Sequence, residues 1–127
     1  MEFTFNNKSS RDFNIKIKKS NHLSIPKRKL EFIEVQGRTD NLIIDEGSRE
    51  MLDIEIEAYI DCRDLDTYNY ALRLDEWLNN TSGYQDLIFD DGVELKAIFV
   101  GQIDFNSITK NFEEILLQFK AYRGGDL

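Results

Sequence analysis

The chain has 127 residues, 41% hydrophobic and 31% charged, with seven Gly, one Pro and a formal net charge of −8. This composition suits a single domain with a real core over residues 1–127 and excludes a disordered tail or a linker array. No apolar run approaches the ~18 residues that a bilayer span needs, and no basic-then-apolar leader opens the chain, so synthesis and storage in the cytoplasm are expected.

The charge is unevenly divided. Residues 1–30 hold eight basic and two acidic side chains, a net of +6, so the remainder carries −14. Two arrangements satisfy such a split: basic strands beside acidic ones within one monomer, or the basic edge of one copy against the acidic face of the next. The acidic total argues against nucleic-acid binding, which needs a basic footprint.

In chain order, Phe13, Ile15 and Ile17 alternate with Asn14, Lys16 and Lys18, the pattern of a half-buried strand. His22 is the single histidine and sits among Ser20, Asn21 and Ser24, which reads as a solvated loop. The stretch 37–49 is polar apart from Leu42, Ile43 and Ile44, and predicts a loop or a hairpin arm that leaves the body. Leu52, Ile54, Ile56, Ala58 and Ile60 then alternate with Asp53, Glu55, Glu57 and Tyr59, the clearest strand signal in the chain.

From Leu65 to Leu78 the period changes. Leu65, Tyr68, Ala71, Leu72, Leu74, Trp77 and Leu78 recur at three- and four-residue spacing, which predicts a helix of about four turns. Asp64 is placed to cap it, residues 79–83 supply turn formers where it stops, and Trp77 is its largest anchor against a sheet. Leu87-Ile88-Phe89 and residues 93–100 flank Asp90-Asp91-Gly92, a hairpin signal. Ile115, Leu117, Phe119 and Ala121 mark a last half-buried strand.

The catalytic inventory is thin. One His and one Cys cannot assemble a zinc set, and Cys62, having no second cysteine, reads as a packed or surface thiol. Asp61, Asp64 and Asp66 have a calcium-like spacing but lack the glycine and terminal glutamate of an EF-hand loop, so capping explains them. No enzyme activity, metal or cofactor is expected.

Phe3-x-Phe5-Asn6, then Ser10-Arg11-Asp12-Phe13-Asn14-Ile15, Val35-Gln36-Gly37-Arg38, a strand at 54–60, a helix ending Trp77-Leu78, Leu87-Ile88-Phe89 and Leu95-Lys96-Ala97 occur in that order. In these features the chain resembles the N-terminal domain of the distal tail proteins of siphophages and related prophages. Where that family has Gly-Arg followed by Asp-Gly, this chain has Arg38-Thr39-Asp40-Asn41. Many family members carry a second, carbohydrate-module-like or adaptor domain after this one, and a chain ending at Leu127 is expected to be a short member or an excised domain, so that sugar binding is not carried over.

The resemblance implies a mainly β (α+β) fold: a β-sandwich of antiparallel sheets flanked by one α-helix, similar to tail-tube proteins. It also implies a virion structural protein of the baseplate hub. Six copies would close into a ring at the distal end of the tail tube, joined to the tube protein and the tail-tip protein, with DNA passing through without specific binding. A cyclic ring has heterologous contacts, a geometry that separated basic and acidic segments can serve. The surfaces expected to meet neighbouring copies are Lys16, Lys18 and Lys19 on the basic strand, and Gly37, Arg38, Leu42, Ile43 and Ile44 on an arm over 37–48. The alternative is a carbohydrate-binding β-sandwich for host recognition, with Tyr59, Tyr84 and Tyr122 as stacking candidates. A lysis enzyme is a third reading.

Overall fold

The computed structural model describes residues 1–63, 66–104 and 112–123. The chain begins with two short strands, β1 (Phe3–Phe5) and β2 (Lys8–Ser9), joined by Asn6 and Asn7. Both asparagines have positive φ, 50° and 65°, which a two-residue hairpin turn of the favoured twist requires and which Asn tolerates better than most residues. A single 3-10 turn (Ser10–Phe13) follows, ended by Asn14 in the left-handed region.

Next come β3 (Ile15–Ser20), β4 (Arg28–Ile33), β5 (Leu42–Arg49) and β6 (Leu52–Asp61). The helix α1 (Thr67–Asn79) precedes β7 (Gln85–Phe89), β8 (Glu94–Phe99) and β9 (Phe112–Arg123). All pairings are antiparallel, in a seven-stranded sheet of order β2-β1-β7-β8-β9-β6-β3 and a separate two-stranded ribbon of β4 and β5. The mainly β, antiparallel architecture with one flanking helix is thus as the sequence predicts. The strand placed at Phe13 begins two residues later, because Phe13 belongs to the 3-10 turn.

The long pair β6 and β9 forms the backbone of the sheet, in unbroken register from Leu52↔Ala121 to Asp61↔Phe112. Along β6, every residue of the set Leu52, Ile54, Ile56, Ala58 and Ile60 is buried, as its alternation predicts. The β7–β8 turn is closed by Gly92 N–H bonding the Phe89 carbonyl, with Gly92 at φ 95°, the conformation for which glycine is suited.

The sheet is not flat. Strands three places apart on a flat sheet stand roughly 14 Å from each other. Yet Phe5 on β1 and Phe119 on β9 meet with ring centroids 5.0 Å apart. The two layers of the sandwich are therefore opposed limbs of one curled sheet, and α1 packs on its inner side. Trp77, 2% exposed, stacks on Phe13 at 4.2 Å and on Phe3 at 5.8 Å, and its indole N–H donates to the Phe5 carbonyl at 2.7 Å. This satisfies the one polar atom that burying a tryptophan would otherwise orphan.

The phase of α1 differs from expectation. Its buried residues are Tyr70, Leu74, Trp77 and Leu78, an i, i+4, i+7, i+8 set, whereas Tyr68 (72% exposed) and Leu72 face outward. A seven-residue stripe is wider than a single packed face accepts, and the shoulder bearing Tyr68 and Leu72 is left in solvent. Asp66 caps the helix by accepting from the Asn69 N–H; the proposed cap Asp64 and the stripe member Leu65 lie outside the described residues.

A candidate assembly surface

The ribbon of β4 and β5 is the part of the chain that the core does not explain. The chain closes its root where the Glu50 N–H bonds the Lys27 carbonyl at 2.7 Å and the Arg49 guanidinium donates to the Pro26 carbonyl at 3.1 Å. Beyond this root β4 and β5 pair only with each other. The hairpin is therefore an arm, and it starts at Arg28, nine residues earlier than the stretch 37–48 marked out by polarity. The reason is that β4 was not recognisable as a strand: period-two alternation arises when one face is buried, and neither face of β4 is.

Opposed residues of an antiparallel pair share a face. Phe32 opposes Ile43, so one face of the arm carries both; Ile33 opposes Leu42 and Glu31 opposes Ile44, so the other face carries Ile33, Leu42 and Ile44. All five apolar side chains are exposed, Phe32 by 58% and Ile43 by 59%. Leu23 and Ile25, in the connection that leads to the arm, are also exposed. A two-stranded ribbon with apolar side chains on both faces is marginally stable by itself. Gly37 and Arg38 form its turn: Gly37 has φ 84°, Arg38 N–H bonds the Val35 carbonyl, and the Arg38 guanidinium grips Asp40 at 2.8 Å.

The lysines sit elsewhere, on the outer edge of the main sheet. Lys16, Lys18 and Lys19 are exposed on β3, whose register shifts between Ile17 and Lys19. Lysines and a bulge are standard protections of an open strand edge, and the opposite edge, β2, is only two residues long. Lys18 reaches Glu114 on β9 at 3.3 Å, passing 5.6 Å from the Tyr59 ring centroid, and the Glu114 contact raises its pKa. The charge split is thus partly satisfied inside the monomer. Lys16 and Lys19 make no ion pair among the described residues. The structure does not bring the lysines and the arm's apolar residues into one patch; they occupy two separate regions.

His22 is a correction to the solvated-loop reading. It is 4% exposed and lies flat on Phe89, ring centroids 3.8 Å apart and planes 9° from parallel. Its Nε2 is 2.7 Å from Asp91 Oδ2 and its Nδ1 is 2.8 Å from Ser20 Oγ. The bond from His22 holds the Asp91 carboxyl below its usual pKa. Ser, His and Asp in contact suggest hydrolytic chemistry at first sight. However, the imidazole is sealed under the sheet and both its nitrogens are occupied, so no substrate can reach it.

Other chemistry-bearing groups stay apart. Burial is the main cause that raises the pKa of the Cys62 thiol, the direction opposite to that of a reactive cysteine. Asp61 binds Arg63, which lowers its pKa to about 2. Among the described residues no group of three or more His, Cys, Asp or Glu side chains is placed to hold a metal, and no helix is long and apolar enough to cross a membrane. Of the three tyrosines, Tyr84 and Tyr122 touch edge to face at 5.1 Å and Tyr59 lies under Lys18.

No protein-family model and no curated protein sequence matches the chain. Among solved structures it is similar to SPP1 Dit (gp 19.1), described as a paradigm of the hub adsorption apparatus in phages that infect Gram-positive bacteria. The TM-score is 0.74 at 13% sequence identity, over 96% of this chain and 51% of that one. The chain thus spans about half the length of that protein. At this identity the likeness is one of fold.

Proposed function

We propose that the chain, as a single domain, is a structural phage or prophage tail component of the distal-tail-protein type. Six copies form a ring at the distal end of the tail tube, link the tube to the tail tip, and line part of the conduit for DNA. The observation that carries this reading is the arm: five apolar side chains exposed on two faces of a ribbon, with no cover from the described residues. In this reading the work of the protein is to present surface to other proteins. The likeness of fold to a phage hub protein supports the same reading.

In this reading the arm lies on the next subunit around the ring and buries its apolar faces there. Lys16 and Lys19, left without ion pairs, face the acidic side of a neighbour. A net charge of −8 per copy repels phosphates and keeps the passing strand from sticking. Size-exclusion chromatography with light scattering, followed by electron microscopy of the purified chain, tests the proposal. Hexameric rings with a central hole are expected, alone or when mixed with the tube protein. A chain that remains monomeric in both conditions overturns it.

A further inference from the structure

We infer that His22 is a positioning residue that locks the root of the arm to the far limb of the curled sheet and so sets the direction in which the arm leaves the body. This deepens the assembly reading above and rests on it for its functional meaning, though not for its geometry.

His22 follows β3, at one edge of the main sheet, while Phe89 and Asp91 belong to the end of β7 and its turn, four strands away in hydrogen-bonding order. Neighbouring strands are ~4.8 Å apart, so a flat sheet would separate these elements by roughly 19 Å. The ring contact at 3.8 Å and the Nε2 to Asp91 contact at 2.7 Å therefore bridge the two limbs. Asn21, one residue earlier, grips only the adjacent strand: its side chain bonds the Asp53 carbonyl and the Glu55 N–H.

The turn that receives His22 is itself held rigidly. Asp91 Oδ1 accepts from the Val93 N–H at 3.2 Å while Oδ2 meets the imidazole, so one carboxylate joins the turn to the histidine. The adjacent Asp90 exchanges bonds with Glu2 at the start of the chain. Only a few residues separate His22 from β4, and within them Pro26 is buried and accepts from Arg49. An arm hinged on this short span inherits its orientation from whatever fixes His22. For a closed ring of six, that orientation matters more than arm stability, because a heterologous contact closes only at one rotation per subunit.

The test measures arm direction in the monomer. In a Cys62→Ser background, spin labels at Asn41→Cys on the arm and Glu57→Cys on the sheet give a distance distribution by pulsed electron resonance. The parent protein is expected to show one narrow peak. His22→Phe keeps a flat ring on Phe89 but loses both hydrogen bonds; it should broaden the distribution while Tm falls by no more than roughly 4 °C. Asp91→Ala should do the same. Asp91→Asn can still accept from Val93 and donate to the ring, and should restore the narrow peak. Equally narrow peaks in His22→Phe and Asp91→Ala overturn the inference, whatever the assembly state. Broadening with rings undiminished supports the lock and instead removes the arm from assembly, so the two ideas fail separately.

Discussion

The main sheet and the arm are both antiparallel β-structure, but they are stabilised in opposite ways. In the sheet every strand except the two-residue β2 contributes buried side chains, and the aromatic cluster of Phe3, Phe5, Phe13, Trp77 and Phe119 is part of that core. In the arm the backbone bonds are made and the side chains are left in water. The contrast separates what a chain needs in order to fold from what it offers to other molecules: mutations in the sheet should act on stability, and mutations in the arm on association.

Cutting the arm away separates the two regions most directly. Replacing residues 28–49 by two glycines joins Lys27 to Glu50, whose backbones are already hydrogen-bonded. Rings should vanish completely while circular dichroism and cooperative melting of the body persist; loss of the melting transition would mean that the arm is part of the core after all. The converse change, Trp77→Ala, should cost about 3–5 kcal/mol in the urea midpoint, by loss of stacking on Phe13 and Phe3 and of the indole hydrogen bond. In the arm, Phe32→Asp with Ile43→Asp should change monomer stability by no more than about 0.5 kcal/mol yet lower ring yield, read by light scattering.

The lysines belong fully to neither region, since they lie on the sheet and yet outside its core. Lys16→Glu with Lys19→Glu should weaken assembly at low salt and much less at high salt, because exposed charges are screened over about 10 Å at 0.1 M. Lys18→Glu alone should show less of this, since Lys18 is engaged with Glu114. Salt-independent loss in either case would remove electrostatics from the contact.

Acid acts on the single pair of Asp61 and Arg63. The Asp61 carboxyl is brought to about 2 by Arg63, so its folded pKa lies below the ordinary carboxylate value of ~3.9. Such a group contributes stability above that ordinary value, and the contribution is lost as pH falls through about 2. Arg63→Gln should flatten this part of the acid limb, measured by urea midpoints against pH, and should leave the neutral-pH slope unchanged.

What could be read from the sequence follows the same division. The alternation in β6 and β9, the Asp-Gly turn and the presence of a helix were legible because each depends on neighbours close in sequence or on a face that is buried. The burial of His22 was not, since it is decided by Phe89, sixty-seven residues away and in contact only because the sheet curls. The polar surroundings of His22 instead give the local pattern of a loop. The helix phase is not legible in the sequence, because Tyr68 and Tyr70 are the same residue type and the contact with the 3-10 turn, where the Tyr70 hydroxyl donates to the Phe13 carbonyl, favours Tyr70. Leu42, Ile43 and Ile44 are visible in the sequence as apolar residues without a pattern, whereas Phe32 and Ile33, which oppose Ile43 and Leu42, carry no such signal.

The narrow neck between Lys27 and Glu50 has a further consequence for how such a chain can change over time. Because the polypeptide leaves and re-enters the body at nearly one point, residues can be added to or removed from the ribbon in opposed pairs without any adjustment in β3 or β6. Each pair alters the span by about 3.3 Å, the rise of one strand residue. The distance over which one copy can reach another is therefore an independently variable length, carried on a body whose interior need not register the change.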